Sequence, residues 1–437
     1  MRILVVGAGI AGLTAAYRLQ ESGHEVLVLE REETAGGRMR SERVGEFVVD
    51  RGAQFIASAY RNMRALAREL GIDDRIQRIE RSDNAMVRGG KLWLGTYDSI
   101  GRLLGSGYLS LGAKLRLPLI LAPLLREWRR LDPMRPETAV HLDDEDMPSF
   151  LRRWVGDEVL EYVFQPALSG TFDSEPEAFS KAFLLSTLRF FFSGFRLLAF
   201  EGGNGLLTST LAGRVPVETG AAVREVVAEV DGVRVVVDSG GRERVERADA
   251  AVLAVPGTLV GNLCPTLNEE ERTFFAQVRY CRGIVVFFLM QHLPPFDCYA
   301  ISLPRRECPD IYGLAVDHYK TGVAPPGRGL LNCSFSEAAA ARWFDEPDDA
   351  VVRFALDTLA RTPVGSLEPL ADACVHRWQP MLPQFHRGYY HALEAFARRQ
   401  QRSPRLTFCG DYLVAPYTEA ALTSGLRAAE EIQRGVG

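Results

Sequence analysis

Apolar residues run unbroken from Ile3 to Val6, recur at helical spacing from Ile10 to Leu19, and run again from Val26 to Leu29. The outer blocks have the length of buried strands and the middle one the period of a helix, so residues 2–6, 10–22 and 25–29 predict a β-α-β unit. A helical crossover between apolar strands joins parallel neighbours in a right-handed connection, which opens a doubly wound parallel sheet. The pattern changes between 215 and 255. There Val223–Val230, Val233–Val237 and Arg244–Leu253 predict strands parted by Asp231-Gly232 and Ser239-Gly240-Gly241, and this meander feeds a last apolar strand, Ala250–Val255. Towards the end of the chain Leu406–Cys409 predicts another strand, Gly410-Asp411 a turn, and residues from about Glu419 to Gln433 a helix. Segments 81–199 and 261–399 are richer in aromatic and long apolar residues, such as Phe190-Phe191-Phe192 and Val285–Leu289. They predict a second domain built from two inserts, with 1–80, 200–260 and 400–437 forming the first.

Composition narrows the class. The 437 residues are 47% hydrophobic and 24% charged, as in globular enzymes. A net charge of −5 provides no broad basic field for a phosphate backbone, which argues against nucleic acid as a partner. The cysteines number seven, an odd set without a CxxC pair, which favours neither a disulfide framework nor a zinc knuckle and points to a reducing cytoplasm. No histidine joins carboxylates or cysteines at metal-ligand spacing, so no metal is expected. Met1–Ala16 has the outline of a signal peptide, but Gly7, Gly9 and Gly12 interrupt its apolar run and Arg18 and Glu21 follow at once. No stretch reaches the roughly 18 apolar residues of a membrane span.

Val6-Gly7-Ala8-Gly9-Ile10-Ala11-Gly12 is the spacing at which Gly7 makes the turn, Gly9 lets backbone approach a pyrophosphate and Gly12 packs helix on strand. The helix beginning at Ile10 and Ala11 then aims its free N–H groups and positive dipole end at the anion. Glu30 ends the next strand, where a carboxylate accepts hydrogen bonds from ribose hydroxyls and disfavours a 2′-phosphate. Together these favour FAD or NAD over NADP.

Two further segments, Gly36-Gly37-Arg38-Met39-Arg40-Ser41 and Phe47-Val48-Val49-Asp50-Arg51-Gly52-Ala53-Gln54-Phe55, resemble the flavin amine oxidase superfamily, which includes monoamine oxidases, protoporphyrinogen oxidases and phytoene desaturases. Thr219-Gly220-Ala221-Ala222-Val223, Ala254-Val255-Pro256, Phe408-Cys409-Gly410-Asp411 and Glu419–Gly425 extend the likeness. The resemblance implies a two-domain α/β fold, a Rossmann-type FAD domain joined to a mixed-sheet and helical substrate domain. It places Gly37 and Arg38 at the pyrophosphate, Gly52, Ala53, Gln54 and Phe55 beside the flavin, and the Val223 backbone at adenine. Gly410 and Asp411 would meet the ribityl or pyrophosphate region, and the helix start at Glu419 and Ala420 the pyrimidine edge. Glu32 stands where many members carry an adenosine-side arginine, a role open to neighbouring Arg31. Without a Ser-Gly-Gly-Cys segment, and with Cys409 inside a strand, FAD is expected to be bound non-covalently.

Gln165–Phe172, Glu201-Gly202-Gly203-Asn204-Gly205-Leu206 and Trp378–Phe385 are similar to the protoporphyrinogen-oxidase and desaturase branch. The implied activity is two-electron oxidation of a largely apolar or aromatic small molecule, with oxygen or a quinone-like compound as acceptor. Alternatives are oxidation at C–N, a non-redox FAD-dependent double-bond isomerisation, and a flavin-binding partner protein with a degenerate pocket. Pocket candidates by resemblance are Gln54, Arg282 where amine oxidases place a lysine, Tyr417 as one wall of an aromatic cage, and Phe385 or Tyr389 as the other. Residues 111–128 combine apolar density, flanking arginines and Pro118 and Pro123, which oppose one continuous helix. They read as a lid or core segment ahead of peripheral contact with a bilayer surface.

Overall fold

The computed structural model describes residues 1–81, 83–95, 100–403 and 405–435. Its parallel sheet has five strands in the order Val217–Glu218, Glu25–Leu29, Arg2–Val6, Ala250–Leu253, Leu406–Phe408. Arg2–Val6 lies at the centre, pairing Val6 with Leu29 on one side and with Leu253 on the other. Its apolar run is continuous because both faces are covered. The helix Ile10–Glu21 packs against the last helix, Thr418–Gly435. A side chain at Gly425 would place Cβ 2.2 Å from the Ala11 carbonyl oxygen, so only glycine permits that crossing.

The segment Arg244–Leu253, expected as a strand overlapping a last apolar strand Ala250–Val255, divides at Asp249 into two separate strands. Arg242–Ala248 pairs antiparallel with Val233–Ser239 in a three-stranded meander, whereas Ala250–Leu253 joins the parallel sheet. Asp249 makes the transfer between sheets: its Oδ2 accepts from the Arg2 amide at 2.7 Å and its own amide donates to the Arg2 carbonyl at 2.9 Å. The alternating charges before it and the fully buried quartet after it belong to different environments.

A mixed sheet of seven strands runs Leu370–Trp378, Gly283–Met290, Leu330–Phe335, Ile311–Val316, Ala300–Ser302, Asn84–Arg88, Lys91–Leu94. All its pairings are antiparallel except that of Ala300–Ser302 with Asn84–Arg88. Gly283–Met290 is buried at every position. Ile284, Val286 and Phe288 pack towards the helices Glu337–Trp343 and Asp348–Ala360, while Val285, Phe287 and Leu289 pack with Phe47 and Val49. Residues 111–127 form three successive helical pieces, Leu111–Arg116, the 3-10 turn Leu117–Ile120 and Leu121–Glu127, broken near the prolines as expected. Among the described residues no helix is long and apolar enough to cross a membrane.

Candidate functional site

One cavity of about 1330 Å³ runs from the glycine turn into a chamber walled by both sheets and the helical insert. Gly7, at φ 103°, makes the turn, and a Cβ there would lie 2.7 Å from the Ala254 carbonyl oxygen. Gly12 does not face the cavity; a Cβ on it would come 2.0 Å from the Gly7 oxygen, which is the packing role read for it. Gly9 differs from both: a Cβ there meets nothing within 4 Å, so its open side is the cavity itself. Ile10 and Ala11 line the same wall at the helix start.

Glu30, buried, accepts from the Ala8 amide at 2.8 Å and the Glu32 amide at 3.0 Å, which ties the glycine turn to the end of the second strand. It faces the cavity together with Arg31, Glu32 and Val223. Arg31 is exposed and its Nε lies 3.2 Å from a Glu32 carboxylate oxygen. Gly36 donates to the Ala8 carbonyl at 2.8 Å and bridges Gly9, so the Gly36-Gly37 turn closes over the first glycine loop. Arg38 and Asp411, 373 positions apart, form an ion pair: Arg38 Nη1 lies 2.6 Å from Asp411 Oδ2 and donates to the Met381 carbonyl at 2.7 Å. Tyr280 donates to the other Asp411 oxygen at 3.0 Å. Gly37, Arg38, Gly410 and Asp411 all line the cavity.

Gly52, Ala53, Gln54 and Phe55 follow along the wall. Gln54 is held at both ends of its amide: Nε2 donates to the Asp50 carbonyl at 2.6 Å, and Oε1 accepts from Lys320 Nζ at 3.2 Å and Asn332 Nδ2 at 3.1 Å. Lys320 is itself buried between Asp317, at 2.7 Å, and Asp50, at 3.2 Å. Burial opposes its charge, but Asp317, Tyr299 and Asp50 outweigh burial and push it above its ordinary value. Asp50 also accepts from Ser41 and from the Asn204 amide and side chain, which joins the Asp50–Gly52 and Gly203–Gly205 segments.

Tyr417 faces the chamber, its ring stacked 5.4 Å from Phe190 and edge-on at 5.6 Å from Phe172, and its hydroxyl 2.9 Å from Thr187 Oγ1. Four expectations are corrected. Arg282 does not line the cavity; its guanidinium lies 4.7 Å from the Phe344 ring centroid, because it shares the parity of Ile284 and therefore the opposite sheet face from Val285. Phe385 and Tyr389 are buried against each other at 5.1 Å and form no wall of the chamber; Phe172 and Phe190 take that place. Glu419 faces away, accepting from the Asn62 and Met63 amides at 2.8 and 2.9 Å to cap the helix Arg61–Glu69. Ala420 is fully buried, and Thr418 and Ala421 are the residues of that helix on the cavity wall.

The flavin containing amine oxidoreductase family matches residues 10–433. The chain belongs to that family. Its cofactor is FAD, and it is an FAD-dependent oxidoreductase. The mitochondrial protoporphyrinogen oxidase of Nicotiana tabacum is 31% identical over 180 residues, a match spanning 41% of this chain and only 34% of that protein. The coproporphyrinogen III oxidase of Mycobacterium tuberculosis is 26% identical with 94% of this chain and 92% of that protein covered. Putrescine oxidase bound to putrescine shares the fold with a TM-score of 0.81 at 18% identity, over 99% of both chains.

The cavity fits such a dinucleotide. Its length brings the glycine turn, the Arg38–Asp411 corner and the small residues Gly52 and Ala53 onto one wall, and the Gly9 cradle is open where a pyrophosphate would approach. Sequence reasoning missed Asp173, Asn332 and, behind Gln54, Lys320, whereas the cavity-facing Leu117 and Ile120 lie in the segment 111–128 read as a lid or core piece. Of these only Lys320, one of four lysines in an arginine-rich chain, left a signal in composition.

Proposed function

We propose that this flavoenzyme oxidises a large, mainly apolar molecule of the porphyrinogen kind, two electrons and two protons at a time, with oxygen or a quinone-like compound as final acceptor. The continuity of one cavity from the glycine turn to a chamber walled by Phe172, Phe190, Phe191, Phe195 and Tyr417 is the observation that carries this reading. The likeness to a protoporphyrinogen oxidase and a coproporphyrinogen III oxidase supports the substrate class. Bound FAD supplies the two-electron acceptor.

In this reading Gly7 makes the turn, its own amide donating to the Leu29 carbonyl at 2.8 Å, and the amides at Gly9, Ile10 and Ala11 and the Gly37 turn hold the pyrophosphate. Arg38 adds charge there while keeping Asp411 in place, and Glu30 and the Val223 backbone hold the adenosine. Gly52, Ala53 and Phe55 lie beside the flavin ring, and Gln54, its amide clamped from three sides, presents a fixed orientation to it. Attachment is non-covalent, a reading supported by Cys409, which is fully buried off the cavity with its thiol pushed up to about 12 by burial. Residues 1–80, 200–260 and 400–437 form the cofactor domain and 81–199 and 261–399 the substrate domain. Every strand of the parallel sheet lies in the first set and every strand of the mixed sheet in the second, which supports this division. Leu117 and Ile120 close the chamber from the helical insert, while Leu111, Leu115, Leu119 and Leu125 on its outer side are exposed, which supports a lid that also rests on a lipid surface.

An amine is the second reading, favoured by the π faces of Tyr417 and Phe172 on the chamber wall. Anaerobic mixing of the yellow protein with porphyrinogens, amines and polyenes distinguishes the classes. The expected result is bleaching of the flavin band by a porphyrinogen and a product lighter by hydrogens lost in pairs. A product of unchanged mass would replace oxidation with isomerisation.

A further inference from the structure

Away from the glycine turn and the Arg38–Asp411 corner the cavity lining is mostly apolar, and two carboxylates interrupt it: half-buried Asp83, met by Arg102 at 3.3 Å, and Asp173. Asp173 ends the helix Gln165–Phe172 in the left-handed region, at φ 48° and ψ 33°. Among the described residues only Arg405 shares a positive φ without being glycine. Glycine takes that conformation at least cost, so a larger residue there points to use of its side chain. Asp173 faces the cavity beside Phe172, Tyr312 and Ser334 and is 9% exposed.

Its surroundings set it apart from the other buried acids, which either carry an ion pair or, in Glu30, Asp143 and Glu419, accept backbone amides. Asp411 is paired with Arg38, Asp50 and Asp317 with Lys320, Glu161 with Arg305, and Glu271 with Arg399. Asp173 has no ion pair among the described residues, and only the Ser334 side chain favours its charged form. A carboxylate withdrawn from water needs a charged partner or several donors, and among the described residues Asp173 has only the neutral Ser334 hydroxyl.

We propose that Asp173 is the recognition point for a substrate nitrogen: the chamber takes a molecule that offers an N–H, either a pyrrole-type ring N–H or an ammonium, to this carboxylate while its apolar body lies on Phe172 and Tyr417. The inference rests on the reading of the cavity as an oxidation site and narrows its substrate class. Phe172, next in the chain, meets the Tyr417 ring edge-on at 5.6 Å, so the polar contact and the aromatic wall are adjacent. A polyene or acyl chain has no such donor and leaves the carboxylate uncompensated.

Burial pushes the Asp173 carboxyl up to about 7. The titratable groups around it are the Cys281 thiol, pushed up to about 12 by burial, and the Tyr312 phenol, which is also raised. Two further acids stand behind them, Glu175, paired with Arg305 at 3.3 Å, and Glu337, which accepts from Gln384 Nε2 at 3.1 Å. The only cation in this set, Arg305, is already engaged by Glu161, Glu175 and Glu177. Affinity for an N–H donor therefore rises as pH rises through about 7, where the carboxyl ionises.

The test uses FAD-loaded wild type, D173N, whose amide tolerates the left-handed backbone, and D173G, which relieves that backbone. Each is mixed anaerobically with coproporphyrinogen III, an arylalkylamine and a polyene between pH 6 and 8. Expected are unchanged flavin spectra, a loss of about tenfold or more in affinity for the N–H substrate in both variants, and disappearance of the pH dependence. Reduction by the porphyrinogen identifies the ring N–H as the donor, and reduction by the amine identifies the ammonium. Wild type reduced by an N–H compound, with the variants within twofold and the pH dependence retained, overturns the inference alone. Wild type reduced by the polyene alone, or by none of the probes, overturns the oxidation of an N–H substrate and the inference with it.

Discussion

His376 shows what a single residue contributes. It lies on the strand Leu370–Trp378, its ring 5.6 Å from that of Phe287, and its Nε2 has no hydrogen-bond partner. Burial, reinforced by the charge of Arg40, lowers its pKa to about 4. The folded protein keeps the ring neutral while the unfolded chain takes up a proton near the ordinary value of about 6.5, so stability is whole above that pH and is lost as pH falls towards about 4. The loss amounts to about 3 kcal/mol. Melting temperatures measured from pH 7 to 4.5 should fall less in H376F than in wild type; equal slopes would remove His376 from the acid limb. Lys320 acts oppositely, as the cation between two buried carboxylates. K320M leaves Asp50 and Asp317 uncompensated, and a destabilisation of about 3–5 kcal/mol is expected, read as a lowered chemical-denaturation midpoint. Substitution without loss would mean that water enters and solvates both acids.

At the scale of elements, the helical pieces over 111–127 divide their leucines between two environments. Leu117 and Ile120 belong to the chamber wall, while Leu111 and Leu115 are 73% and 71% exposed. Lys114, Arg116 and Arg126 flank them in sequence. An outward apolar stripe with basic neighbours suits an anionic bilayer surface. Co-sedimentation with vesicles containing phosphatidylglycerol should fall at least threefold in the double variant L115Q/L119Q, with FAD content unchanged. Equal sedimentation would leave these residues as a lid alone. The same scale explains the strand boundary: Arg244–Ala248 carries the charges of Arg244, Glu246 and Arg247 and Ala250–Leu253 carries none, but only the pairing of Asp249 with Arg2 reveals the change of sheet.

At the scale of the whole molecule, residues from Gly7 to Ala421 share one cavity, so FAD should add to the packing, the Arg38–Asp411 ion pair and the Asp50–Asn204 hydrogen bonds that already link these elements. Bound ligand stabilises the folded state by mass action. Added FAD should raise the melting temperature of wild type, and R38M, which loses the guanidinium and leaves Asp411 with Tyr280, should bind FAD about tenfold or more weakly by flavin-fluorescence titration. Tight binding retained in R38M would shift the pyrophosphate role to the helix amides alone. The cofactor end was legible in the sequence because its requirements are local. A left-handed turn at Gly7, close helix packing at Gly12 and a carboxylate after the second strand are each imposed by backbone sterics within a few residues. Of the chamber, Tyr417 and the segment 111–128 were named from the sequence and the rest was not, because its walls depend on strand parity and on contacts between distant segments. Parity turned Arg282 away and left Val285 facing inward, packing buried Phe385 and Glu419, and Asp173 and Asn332 met the cavity, with Lys320 behind Gln54, only when the mixed sheet and the helical insert closed around it.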